Sequence, residues 1–192
     1  MSSPVGHMLV GAALYLAGTS PQHRSNVTLG VTLMGSILPD FDFLPGILIG
    51  DPAAFHHGVS HSLAFAVLFG ALVFVFFRCC RQKKIARRAA LLGTLAYGFH
   101  VVLDAVNVNN AVPIIWPLSN VKFGINLNLF GHFHHDRLEQ GIRSVVRWDN
   151  LPAVTRELTI LGIPVLLLFL WRKRRGQSNL PGCRVKEDAY ER

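Results

Sequence analysis

Charge is what this sequence is short of. Only 16% of its 192 residues are Asp, Glu, Lys or Arg, against about a quarter in ordinary soluble domains, and the mean hydropathy is +0.36. A soluble chain of this length would need more charge to cover its surface, so the composition fits a bilayer. Cysteine is nearly absent too. Cys79, Cys80 and Cys183 form no disulfide framework and lack zinc-type spacing. The first residues carry no basic n-region, which speaks against a cleaved signal peptide.

What is present is five apolar runs: Met8–Gly18, Val27–Leu38, Leu63–Phe77, Ala89–Val106 and Leu158–Trp171. Several fall short of the ~20 residues that cross a bilayer untilted. Neighbouring Ser, Thr, Pro and Cys lengthen them, and snorkelling or local thinning accommodates the rest. Leu63–Phe77 is the clearest, with no ionisable group from Ser62 to Phe77. Pro164 interrupts the last run, which membrane helices tolerate.

The basic residues are clustered. Arg78, Arg81, Lys83, Lys84, Arg87 and Arg88 form one group without an acid, and Arg172–Arg175 form another. Each adjoins an apolar run, the position of cytoplasmic flanks under the positive-inside rule, which displaces a nucleic-acid reading. With the first group inside, the alternation of spans puts the N-terminus outside, the 107–150 segment outside and the C-terminus inside. Cys79 and Cys80 then lie in the reducing cytoplasm. His7, Asp40, Asp42, His56, His57, His61, His100 and Asp104 all fall on the outer side, a coincidence the charge rule does not impose. The expected fold is all-α, a polytopic membrane helix bundle of about five transmembrane helices with a short extracytoplasmic segment. Residues 1–175 form the membrane-embedded domain, and 176–192 a flexible cytoplasmic tail.

Ionisable groups in membrane segments are costly and point to function. In GFHVVLDA, His100 and Asp104 are four residues apart and leave one helix face, placing an imidazole and a carboxylate where both can hold a divalent cation such as zinc. The plainer alternative is a polar pair tying two helices together. In SILPDFDFLPG, Pro39 should end the helix and leave Asp40 and Asp42 in an irregular turn. Alternate residues of such a turn diverge, so one acid is expected to bind metal and the other to orient a ligand or cap a helix. In FHHGVSHS, Gly58 lets the backbone bend and Ser60 suits an N-cap. Either His57 or His56 could converge with His61, depending on where the helix starts. His7 lies on the same side, near the start of the first helix, and suits a second ion. His132, His135 and Glu139 in GHFHHDRLEQ have ligand chemistry but sit in a polar segment that serves equally as a solvated surface. His23, beside Arg24, reads as an ordinary flank.

GHMLVGAAL, GSILPDFDFLPG, FHHGVSHSL and GFHVVLDAVN, in that order, resemble the bacterial inner-membrane metal-dependent hydrolases of the YdjM type. The resemblance runs from about Gly6 to Pro117. It implies His7, Asp40, Asp42, His56, His61, His100 and Asp104 as site residues. The chain departs from the usual pattern at His57, where Arg is common, and at Ser60, where Thr is. Losing that Arg removes a fixed cation for gripping an anionic substrate. In order of motifs the chain is also distantly similar to zinc-dependent phospholipase C and single-strand nucleases, whose third zinc site makes His132, His135 and Glu139 a loose candidate.

The function expected is metal-dependent hydrolysis at the outer face of the inner membrane, on a phosphoester or other amphiphilic substrate. His7, Asp40, Asp42, His56, His57, His61, His100 and Asp104 are the metal-ligand candidates. Whichever of Asp40 and Asp42 stays uncoordinated is the general base. The rivals are a non-catalytic protein with a structural metal or polar cluster, and a metal or proton transporter. The first predicts a closed coordination shell. The second predicts ionisable groups spread through the membrane depth.

Overall fold

The computed structural model describes residues 3–51, 54–55, 57–106, 111–125, 127 and 148–178. Among them the chain is helical, apart from loops and one isolated antiparallel bridge between Val112 and Phe123. Helix α1 (Pro4–Gly18) starts with proline in its first turn, where a missing N–H costs nothing, and Ser3 caps it by accepting from the Gly6 amide. Helix α2 (Asn26–Ile37) is capped by Ser25.

Pro39 does not end the helical path. Its absent N–H is taken up by a tighter 3-10 stretch, Leu38–Asp42, after which α3 (Phe43–Leu48) resumes. Asp40 and Asp42 therefore stand on a helical turn, not in an irregular one. They still diverge, because residues two apart on a 3-10 helix point in different directions. Helix α4 (Leu63–Cys79) is capped by Ser62, not Ser60. The Ser60 hydroxyl is committed to Asp42 instead. Helix α5 (Lys83–Val106) begins earlier than its apolar run, so four of the six clustered basic residues lie on its first turns. The last apolar segment is α6 (Leu151–Glu157), a π turn (Leu158–Gly162) and α7 (Ile163–Ser178). Pro164 cannot donate to the carbonyl four residues back, and the wider turn just before it accommodates that loss.

Helix α5 is the centre, packed between α2 and α4, while α1 lies on α2 and the last segment lies along α1. Small residues allow these approaches, as in membrane bundles generally. A Cβ on Gly35 would stand 2.6 Å from the Gly93 carbonyl oxygen, and one on Gly11 would stand 2.8 Å from Ser36 Oγ. At one end of the bundle Arg88 donates to the His23 carbonyl, and Arg172 to the carbonyls of Thr19 and Ala17. Outward-facing Val67, Leu72, Phe76, Leu91, Leu166 and Leu167 are exposed, apolar surface suited to lipid. Asn26–Leu48, Lys83–Val106 and Trp148–Arg174 are long and apolar enough to cross a membrane, with α1 and α4 as shorter apolar helices beside them.

Candidate metal centre

The ionisable residues gather at the end of the bundle opposite the basic groups. His100 and Asp104 leave α5 on one face, with His100 Nε2 3.2 Å from Asp104 Oδ2. His61, on the loop leading into α4, brings its Nε2 to 3.4 Å from both His100 Nε2 and Asp104 Oδ2. Asp40, on the 3-10 turn, places Oδ1 3.5 Å from His100 Nε2 and 3.8 Å from His61 Nε2. One ligand atom from each of the four lies within 4.8 Å of all the others. Tetrahedral zinc with bonds of roughly 2.0–2.1 Å holds its ligand atoms about 3.3 Å apart, so the spacing fits a cation in the gap. Among the described residues the buried Asp40 Oδ1 has no hydrogen-bond partner, as an atom facing an ion or a reacting water would have none. The four residues could bind a metal ion.

The surrounding groups fix which atoms face the gap. His100 Nδ1 lies 2.8 Å from the Ser36 carbonyl oxygen and must carry the proton there, which leaves Nε2 as an acceptor. His61 Nδ1 is 3.2 Å from Asp42 Oδ2, so its Nε2 is oriented the same way. Asp42 also accepts from the His57 amide and the Ser60 hydroxyl, each at 3.0 Å. Tyr97, one turn before His100 on α5, donates to the Ser60 carbonyl and pins this loop. His61 lies ahead of α4. Burial opposes its protonation, but the carboxylates of Asp104, Asp40 and Asp42 push its pKa up to about 11.

Two more histidines complete the ring around Asp104. His7 is fully buried, stacks on His100 with ring centroids 3.8 Å apart, and sets Nε2 3.5 Å from Asp104 Oδ1. His57 packs edge-on against His61 and holds Nε2 3.7 Å from Asp104 Oδ2. Its backbone is left-handed, φ 56°, a conformation that costs a non-glycine residue about 1–2 kcal/mol. The residue that takes the special backbone angle is therefore His57 and not the following Gly58. A Cβ on Gly58 would meet the Phe55 carbonyl at 2.7 Å, so this glycine serves a close approach.

Thus His7, Asp40, Asp42, His57, His61, His100 and Asp104 are brought together. His56, His132, His135 and Glu139 lie outside the described residues. Sequence reasoning passed over Tyr97, Ser36 and Glu157. Tyr97 was within reach, since it shares a helix face with His100 and Asp104. The Ser36 carbonyl and Glu157 act across long separations that carry no local pattern.

An apolar helical bundle with a buried His/Asp centre able to hold a cation defines the class: an α-helical membrane protein with a candidate metal site. Residues 1–175 match the family described as YdjM inner membrane protein, and the chain belongs to that family. No curated protein and no solved structure matches the chain.

Proposed function

We propose that this protein is a multi-pass metal-dependent hydrolase of the inner membrane, with its site at the extracytoplasmic face. Zinc suits the mixed imidazole and carboxylate donors. The observation that carries the reading is the surplus of donors around one carboxylate. A structural tetrahedral ion is satisfied by four ligands. Asp104 faces His61 and His100 through Oδ2 with Asp40 alongside, His57 adjoins the same oxygen, and His7 faces Oδ1. That set serves two ions sharing Asp104, or one ion with an open position.

His61, His100 and Asp104 would hold the first ion, and His7 with the other Asp104 oxygen the second. Bound there, a divalent cation would make a water molecule acidic and polarise the scissile bond. Asp42 is occupied by three donors and serves to orient His61. Asp40 has the most exposed side chain of the four-residue group, 18%, and would accept the proton of the attacking water. Phe41, Leu44, Leu48 and Phe55 expose apolar surface on the segments that carry Asp40, Asp42 and His57. This surface supports a lipid-like or phosphoester substrate entering from the bilayer interface. The grouping of ionisable residues at one end weighs against a relay through the membrane.

The test is elemental analysis of detergent-purified protein. Wild type should carry zinc or a similar ion, and His100→Ala and Asp104→Asn should lose most of it. Undiminished metal in both variants, or none in replete wild type, would overturn the reading. Release of water-soluble head groups from mixed lipid vesicles, absent in both variants, would then separate hydrolase from scaffold.

A further inference from the structure

The α6–α7 segment carries a single acid, Glu157, on a span that otherwise faces lipid along most of its length. Glu157 is nevertheless fully buried. Both its oxygens turn to Ser3: the backbone N–H donates to Oε1 at 2.5 Å, and the hydroxyl donates to Oε2. Gly6 makes room for it, since a Cβ there would stand 2.9 Å from the Glu157 carboxyl carbon. His7, the next residue, lies within the electrostatic reach of the carboxylate.

A charge buried in an apolar bundle costs several kcal/mol in practice unless it is compensated. A glutamine amide could accept from the Ser3 N–H through its one oxygen. What glutamine cannot supply is a second acceptor for the Ser3 hydroxyl, which itself accepts from the Gly6 amide and so donates to Oε2. At the far end of the same span Arg172 donates to the carbonyls of Thr19 and Ala17. The acid thus meets the N-terminal end of α1 and the base its C-terminal end, each matching the helix dipole. Arg172 holds only the C-terminal end of α1, whereas the Glu157 bonds act at the end that carries His7.

We infer that Glu157 is the positioning residue of His7 and that, through it, a second divalent cation is held between His7 and Asp104 Oδ1. The inference rests on the proposed reading of Asp104 as a metal ligand. It adds the last span to a centre otherwise built from α1, α5 and the Asp40–His61 region.

The experiment is zinc stoichiometry and affinity on the full chain in detergent, for wild type, His7→Ala, Glu157→Gln and Arg172→Gln, with thermal midpoints recorded beside them. Two ions per chain are expected in wild type and in Arg172→Gln. One is expected in His7→Ala and in Glu157→Gln, with Glu157→Gln keeping a midpoint close to wild type. Two ions in Glu157→Gln, or loss of the second in Arg172→Gln as well, would overturn the assignment. One ion in wild type would overturn the second cation and leave the first site standing, whereas none would overturn both readings. Should Glu157→Gln fail to fold, Ser3→Ala replaces it. Weakening of the second ion by tenfold or more supports the inference, and unchanged affinity refutes it.

Discussion

At Asp42 one carboxylate oxygen accepts from the His57 amide, the Ser60 hydroxyl and the His61 ring, while Asp40, two residues earlier, turns an oxygen toward His61 and His100. Outer-shell carboxylates of this kind typically contribute about 10–100-fold to metal affinity. Asp42→Asn should therefore retain the ion but bind it about 10–100-fold more weakly in a chelator competition, and an unchanged affinity would remove the orienting role. Proton competition gives a second prediction. In the metal-free protein His61 holds its proton up to about pH 11, and a cation must displace that proton. Affinity should rise with pH between pH 6 and 8, by up to roughly tenfold per unit for each proton released. A flat titration of apparent Kd would exclude His61 as a ligand. The His100–Asp104 pair was legible in the sequence because i,i+4 geometry is local. The choice of His57 was not, since nothing local marks that position for a left-handed backbone. Glu157 directly precedes the last apolar run without any local pattern to mark it, and its meaning comes from Ser3, the cap of α1.

Between elements, the contact that sets the dimensions of the centre is the approach of α2 to α5. The Ser36 carbonyl holds His100, and its neighbour Gly35 leaves no space for a Cβ beside the Gly93 carbonyl, only 2.6 Å away. Gly35→Ala should push the helices apart, destabilising the fold by about 1–3 kcal/mol and lowering metal occupancy. Gly30→Ala on the same helix meets nothing within 4 Å and should be neutral or stabilising by about 0.5–1 kcal/mol. Thermal unfolding in detergent, with metal content beside it, compares the two; equal effects would refute the packing argument. The five apolar segments were readable from hydropathy, because lipid-facing helices need little pattern beyond it. Their joints were less so. Pro39 tightens a helix that continues, Ser62 caps α4 where Ser60 was expected, and a π turn precedes Pro164, each decided by where a freed backbone group finds a partner.

Over the whole molecule, two polarities coincide. Arg88 and Arg172 anchor the loop and helix end of residues 17–23, and the His/Asp centre lies at the other end. If the basic end faces the cytoplasm, exposed Cys79 and Cys80 should resist a membrane-impermeant maleimide in intact spheroplasts and react in inverted vesicles. The reverse pattern would invert the proposed orientation.

The four closest donors also have an order in time. Asp40, His61, His100 and Asp104 are all encoded ahead of the loop that follows α5, in the middle of the chain. Glu157 lies on a later span and reaches back to Ser3, the cap of α1. The four closest donors thus precede, in the order of synthesis, the span that clasps α1.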